Sequence, residues 1–352
     1  MRKQKACPGR RSTKLSIARQ IIHSSRSRFT ARLDSGVRRR LEIRMFRQFL
    51  YPLAAATLVA CASTHKIPAS PTVAASMGPA EFQALPSKPA DYRVAYGKDP
   101  NQFADLRVPS AAGQHPVVVL IHGGCWKADY ASLRDMAPIA DALKAEGIAT
   151  WNVEYRRLPQ PGSGWPGTFQ DVGMAVDHLR TIARQYRLDL DRVVLLGHSS
   201  GGQLATWVAA RKRLPQGSPL YVADPLRIRG VVNLAGPGDL ETEIALEIGA
   251  CQGHVVEELL GGSPAAVPER YKQASPSNLL PLGVPQVLVW GERDKLVPLW
   301  SGARYAKAAA EAGDSIDFVT APSLGHFEIA SPFSPFWPKV RNAVQSLLRS
   351  SQ

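Results

Sequence analysis

The 352 residues predict an α/β fold: a mostly parallel sheet of about eight strands, helices on both faces, and a small lid-like insertion. Three observations carry that expectation. Apolar runs at 116–121, 192–197, 228–235 and 284–291 lack the alternation of a half-exposed strand, so each fits a strand buried on both faces of a parallel sheet. Segments with helical spacing separate these runs, as crossovers between parallel strands require. Finally, Val193-Val194-Leu195-Leu196-Gly197-His198-Ser199-Ser200-Gly201-Gly202 runs from an apolar strand through a Gly-x-Ser-x-Gly turn into a helix-like segment.

In chain order, the body begins near Asp91 and runs over 91–350. Residues 92–96 and 104–108 are expected as two short edge strands of a hairpin, with Gly97, Pro100 and Asn101 in its turn. After strand 116–121, residues 131–146 carry Leu133, Met136, Ile139, Ala140 and Leu143 at helical spacing, and Gly147 stops them. Strand 148–153 and a Pro/Gly-rich loop at 158–167 follow. A long helix at about 168–187 aligns Val172, Ala175, Val176, Leu179, Ile182 and Ala183 on one side. Beyond the Ser199 turn comes helix 200–213. Its final Arg211, Lys212 and Arg213 read as a solvated helix end that suits the negative pole. Strand 228–235 leads into 236–283, an irregular insertion with short helical pieces and a candidate lid over the strand ends. Strand 284–291, helix 300–312, strand 316–321 and an amphipathic helix at 334–349 complete the body.

The net charge of +14 suggests a nucleic-acid partner at first sight. Its distribution removes that reading. Residues 1–60 hold 15 Lys/Arg against 2 Asp/Glu, and the rest of the chain 28 against 27. The body is nearly neutral, and no nucleic acid is expected. Residues 1–44, rich in Arg, Ser and Lys without a sustained apolar face, read as a disordered segment or as sequence upstream of the true start. Met45 opens a second pattern over 45–60: a short basic start, then about a dozen apolar residues, which is the layout of a signal peptide and too short for a membrane span. Leu58-Val59-Ala60-Cys61 resembles a bacterial lipobox, which implies cleavage before Cys61 and a lipid anchor on that residue. Ala62, where an Asp would favour the inner membrane, points to the outer membrane facing the periplasm, or to the periplasm if the chain is simply secreted. Residues 61–90, with many Ala, Ser, Pro and Thr, read as a tether.

Cys7 lies in the leader, and Cys125 and Cys251 remain in the body. Export would permit a disulfide between the last two; two small buried hydrophobes is the other reading. No Cys/His cluster has zinc spacing.

A serine hydroxyl attacks poorly until a positioned base takes its proton. Ser199 at the tip of the turn is the candidate nucleophile, and Gly197 and Gly201 leave room for the tight backbone. Two histidines follow it: His254 in the insertion, and His326 in a Gly-His loop after the last strand. His326 is the candidate base. Asp294, in a turn past a strand end, is the candidate acceptor for its ring N–H, with Glu292 and Asp317 as competitors. His122-Gly123-Gly124-Cys125 follows the third strand, where N–H groups of Gly124 or Cys125, with that of Ser200, are candidates to hold an oxyanion. His122 is expected to orient this loop, and Trp126 and Trp165 to be pocket wall or core.

Ile121-His122-Gly123-Gly124-Cys125-Trp126, Asn152-Val153-Glu154-Tyr155-Arg156, Gly197-His198-Ser199-Ser200-Gly201-Gly202, Trp290-Gly291-Glu292-Arg293-Asp294 and Gly325-His326-Phe327 together resemble the α/β-hydrolase superfamily over about 91–350. Within it they are similar to serine carboxylesterases related to kynurenine formamidase and hormone-sensitive lipase. The oxyanion loop has Cys125 where the lipase-type branch has a third glycine, and the elbow is nearer to the formamidase-like branch. The resemblance implies cleavage of a small-molecule carboxylic ester through an acyl-enzyme, with no metal and no diffusible cofactor. An amide or formamide is the alternative substrate. A non-catalytic envelope binding lipoprotein is the rival class, against which an intact Ser/Asp/His set speaks. A prolyl-oligopeptidase-type peptidase ranks lower, because no propeller-sized stretch precedes the body.

Overall fold

The apolar runs form the middle of one eight-stranded sheet. The computed structural model describes residues 76–349, so the expected leader and signal peptide, and Cys61 with them, lie outside the described residues. The strands are β1 (Tyr92–Ala95), β2 (Phe103–Arg107), β3 (His115–Ile121), β4 (Ala149–Val153), β5 (Leu188–His198), β6 (Gly230–Leu234), β7 (Gln286–Gly291) and β8 (Ile316–Ala321). Their spatial order is β1-β2-β4-β3-β5-β6-β7-β8. The β1–β2 and β2–β4 pairs are antiparallel and every other pair is parallel. The helices are α1 (Pro79–Gln83), α2 (Ala137–Ala145), α3 (Gly167–Asp177), α4 (Leu179–Tyr186), α5 (Ser200–Ala210), α6 (Leu240–Ala250), α7 (Val255–Leu260), α8 (Pro268–Ala274), α9 (Leu299–Glu311) and α10 (Trp337–Arg349).

The central strands lack alternation because both faces are covered. On β3, Val117, Val119 and Ile121 enter one core layer, while Val118 and Leu120 enter the other. β5 repeats this with Val193 and Leu195 against Val194 and Leu196. Phe169, Val172, Leu179 and Leu204 from α3, α4 and α5 close the first layer. Ile139, Tyr305 and Val344 from α2, α9 and α10 close the second. Each fully buried aliphatic side chain contributes roughly 1.5–3 kcal/mol, so this double-faced packing dominates the stability. Among the described residues no helix is long and apolar enough to cross a membrane.

Several expectations change. β2 pairs with β4 as well as β1, and Ala104 and Leu106 are fully buried, so only β1 of that hairpin is an edge strand. The long helix breaks at His178 into α3 and α4, where Thr181 N–H bonds back only three residues to the His178 carbonyl and tightens the turn. The apolar stripe continues across the break, with Leu179 and Ile182 still buried. Arg211 is not a solvated helix end. It is 2% exposed and donates through two nitrogens to the Asp177 carboxylate at 2.8 Å. Nor is 61–90 all tether: Phe82 on α1 is buried, Arg107 donates to the Lys88 carbonyl, and Lys88 N–H donates to Asp141. The insertion packs as three short helices whose Leu259 and Leu260 belong to the core. Cys125 and Cys251 form a disulfide, with Cα atoms 5.8 Å apart, so the first of the two cysteine readings holds.

Asp177 also accepts from Leu226 N–H, so one carboxylate joins α3, the end of α5 and the approach to β6. Asp177→Ala strands the Arg211 charge inside the core. It is expected to lower stability by about 3 kcal/mol, read as a fall in the urea unfolding midpoint.

Candidate active site

Parallel strands end together, and their C-terminal ends bring the site's parts to one edge. Ser199 sits between β5 and α5 with φ 54° and ψ −128°, a backbone conformation that costs a non-glycine residue about 1–3 kcal/mol. Its neighbours explain how the chain turns there. A Cβ on Gly197 would lie 2.0 Å from the Gly201 carbonyl oxygen, and one on Gly201 would lie 2.2 Å from that of Ile121. Only glycine fits either place. Ser199 N–H donates to the Leu234 carbonyl at 2.8 Å, which ties the turn to the end of β6.

His326 Nδ1 lies 2.7 Å from Asp294 Oδ2. The other carboxylate oxygen accepts the N–H groups of Leu296 and Val297 at 2.8 and 2.9 Å. Both side chains are buried, Asp294 completely. Held on two sides, the carboxylate fixes the ring's orientation. The competitors stand apart: Glu292 and Asp317 are exposed, Glu292 taking a bond from Thr320 Oγ1. His254 is 64% exposed and pairs with Glu257. Ser199 and His326 face the same cleft, and among the described residues no hydrogen bond joins the serine hydroxyl to the ring.

The loop after β3 holds three consecutive residues in the left-handed region: Gly124 (φ 98°), Cys125 (φ 53°) and Trp126 (φ 54°). Trp126 pins it to α5, its N–H reaching Ser200 Oγ at 3.4 Å and its Nε1–H donating to Gln203 Oε1 at 3.2 Å. Those bonds leave the N–H groups of Gly124, Cys125 and Ser200 without a hydrogen-bond partner among the described residues. Gly123 lies so close to the nucleophile that a Cβ there would be 3.0 Å from Ser199 Cβ. Behind the loop, His122 Nε2 is 3.1 Å from Glu154 Oε1, and Tyr155 Oη–H donates to the His122 carbonyl at 2.8 Å. Glu154 also pairs with Arg157 at 2.9 Å and accepts Leu133 N–H at 3.2 Å. Burial would raise the Glu154 carboxyl, but His122, Arg157 and that N–H outweigh it and hold it below its usual range.

Two contributions were not foreseen. His198, one residue before Ser199, is buried, and its Nε2–H donates to the His326 carbonyl at 3.0 Å. Burial, with His326 nearby, pushes its ring well below the usual histidine range, so it stays neutral and carries one N–H for that bond. It thereby ties the nucleophile turn to the loop of the candidate base. A titratable residue inside the Gly-x-Ser-x-Gly motif was the available signal. The second is the segment before β1. Phe82 packs 5.4 Å from the rings of both His198 and Phe327, and Glu328 accepts the Met77 and Gly325 N–H groups. Nothing in its Ala/Pro-rich composition marked it.

Two cavities meet at Ser199. A cleft of about 780 Å³ is lined by Ser199, His326, Gln83, Tyr130, Arg293 and Lys295, among others. A chamber of about 40 Å³ is lined by Ser199, Trp126, Val256 and Val297 and by both disulfide cysteines, without His326. Glu243 also borders it; burial pushes that carboxyl up to about 7, and it accepts from Ser301 Oγ–H at 2.6 Å. Among the described residues no group of three or more His, Cys, Asp or Glu is placed to hold a metal ion.

A strained serine between a parallel strand and a helix, with an Asp–His pair and a glycine loop at the same edge of the sheet, defines an α/β-hydrolase. Residues 104–308, more than half of the chain, match the BD-FAE family, and the chain belongs to that family. The kynurenine formamidase of Meyerozyma guilliermondii is 30% identical over 125 residues, 35% of this chain and 44% of that protein. The carboxylesterase NlhH of Mycobacterium tuberculosis is 25% identical over 217 residues, 60% of this chain and 66% of that one. A solved truncated form of a carbohydrate esterase from gut microbiota superposes with a TM-score of 0.64 at 21% identity, covering 74% of this chain and 99% of that one. Against three of the curated relatives, the chain spans between 23% and 44% of their length.

The depressed Glu154 carboxyl gives a pH signature. Its stabilising contribution is present above the unfolded value, near 4.5, and is lost as pH falls through the folded value. Glu154→Gln is expected to be less stable than the parent at neutral pH. Between about pH 5 and 3 its urea midpoint should fall less steeply than the parent's.

Proposed function

We propose that this chain is a serine carboxylesterase that cleaves a small-molecule ester through an acyl-enzyme. The observation that carries the reading is the buried Asp294–His326 pair facing the same cleft as the strained Ser199. His326 Nε2 takes the hydroxyl proton as Ser199 Oγ attacks the ester carbonyl carbon. The oxyanion rests on the N–H groups of Gly124, Cys125 and Ser200, at the N-terminus of α5. Collapse breaks the ester C–O bond, and His326 returns the proton to the departing alcohol. Water then repeats the cycle and frees the acid. Asp294 accepts the ring Nδ1–H and holds the ring in place.

The leaving group must lie where His326 can protonate it. That assigns the 780 Å³ cleft to the alcohol and the 40 Å³ chamber, which His326 does not line, to the acyl group. At about 10–15 Å³ per water-sized occupant, the chamber takes roughly three heavy atoms beyond the carbonyl, so short acyl groups up to about butyryl fit. The cleft, with Arg293, Lys295 and Tyr130 beside Met77, Phe82 and Leu296, suits a larger alcohol that carries both apolar and polar groups. The relatives named as carboxylesterase and carbohydrate esterase support this reading. The one named as a formamidase favours a variant: formyl is the smallest acyl group, and an aryl formamide would use the same groups.

We further propose that residues 45–60 are a lipoprotein-type signal and that Cys61 is lipidated, which would hold the enzyme at the outer membrane facing the periplasm. The support is the sequence pattern alone. Fatty-acid labelling of the full chain in a bacterial host tests it: the parent should incorporate label and Cys61→Ala should not.

Turnover of p-nitrophenyl acetate tests the chemistry. The parent is expected to be active, with Ser199→Ala reduced by at least about 10³-fold. Labelling of Ser199 by a fluorophosphonate is expected in the parent alone. An inert and unlabelled parent would favour the non-catalytic binding lipoprotein.

A further inference from the structure

We propose that the Cys125–Cys251 disulfide is the wall that sets the acyl-length limit of this site. The inference rests on the esterase reading above. Both sulfur-bearing residues line the chamber that His326 does not reach. Cys125 belongs to the loop after β3, one residue from Trp126, which is bonded to Ser200 and Gln203. Cys251 directly follows α6 and precedes Gln252, a left-handed residue that lines the alcohol cleft. The bridge thus joins two stretches 126 residues apart, side by side against the nucleophile.

The loop after β3 is anchored by β3, by Ser200 and by Gln203. Tyr130 Oη–H donates to the Cys251 carbonyl at 3.0 Å, and the Cys251 side chain is buried in the core layer it shares with Val255 and Val256. When the bridge opens, the covalent tie between these two stretches of the chamber wall is lost. A dithiol reductant supplies the two electrons and two protons. The S–S bond breaks, Cys125 and Cys251 become thiols, and the reductant closes to its own disulfide. The two sulfurs then separate from about 2 Å to non-bonded contact, and the chamber lengthens. Longer acyl chains gain room while Ser199, His326 and Asp294, none of which is tied to Cys251, keep their places. The site then carries a length filter whose setting depends on the oxidation state of one bond.

The test compares p-nitrophenyl acetate and hexanoate on the full chain, as kcat/KM for each. The parent is expected to prefer acetate strongly. Cys251→Ala, and the parent treated with dithiothreitol, should both raise the hexanoate-to-acetate ratio at least about tenfold, mainly through hexanoate. Reoxidation should restore the parent, and dithiothreitol should not move the ratio of the variant. If acetate and hexanoate fall together, or the ratio stays within about twofold, the bridge is only a structural tie and the proposal is overturned. The reduced parent keeps the test decisive should the variant fold poorly. A parent inert towards both esters overturns the esterase reading instead, and the filter with it.

Discussion

The turn at Ser199 is the constraint on which the rest depends. It needs the ends of β5 and α5 within van der Waals contact of each other and of the β3 end. Gly197 and Gly201 leave no room for a single methyl group in either direction. Such a turn survives only where the surrounding packing repays its strain. Here β5 lies at the centre of the sheet, between β3 and β6, with apolar side chains on both faces and Ser199 N–H bonded across to Leu234. The central position of the strand and the strain at its tip are two sides of one arrangement.

From that turn the other parts follow by contact. α5 carries Ser200 and Gln203, which accept from the two N–H groups of Trp126 and so set the loop after β3. His198 donates to the His326 carbonyl and so sets the loop after β8. Asp294, past the end of β7, orients the ring of His326 from the other side. Each link is one hydrogen bond or one close contact among the elements at the C-terminal edge of the parallel strands. A parallel sheet supplies this economy because its loops emerge on one edge, whereas an antiparallel sheet would scatter them over two.

The legible part of the molecule was the part written locally. Double-faced burial leaves an apolar run that any window shows, so β3, β5, β6 and β7 were found with ends displaced by only a few residues. The Ser199 turn, the loop after β3, and the choice of His326 and Asp294 over His254, Glu292 and Asp317 rest on patterns of a few residues. What stayed hidden depends on partners far away in the chain. Arg211 looks solvated beside Lys212 and Arg213 until Asp177 arrives from α3. Residues 76–90 have a linker's composition, yet Phe82 gains an aromatic neighbour in Phe327, 245 positions further on. The pairing of Cys125 with Cys251 is of the same kind, since two cysteines state that a bridge is possible and not that the chain brings them together.

The asymmetry of the two cavities follows from the same wiring. His326 sits on the loop after β8, and the segment carrying Phe82 leans on that loop from outside, so the side of Ser199 facing His326 is a cleft of about 780 Å³ with both apolar and charged residues in its lining. The opposite side is bounded by the loop after β3, which cannot retreat because Trp126 is fastened to α5. On the proposed esterase reading, an ester lying across Ser199 would meet the roomy cleft on its leaving-group side and the small chamber on its acyl side. Size discrimination falls on whichever part of that chamber's wall can yield. Trp126 is held there by two hydrogen bonds, Val297 by its N–H to Asp294, and the two cysteines by the bond between them, which is the covalent tie in that wall.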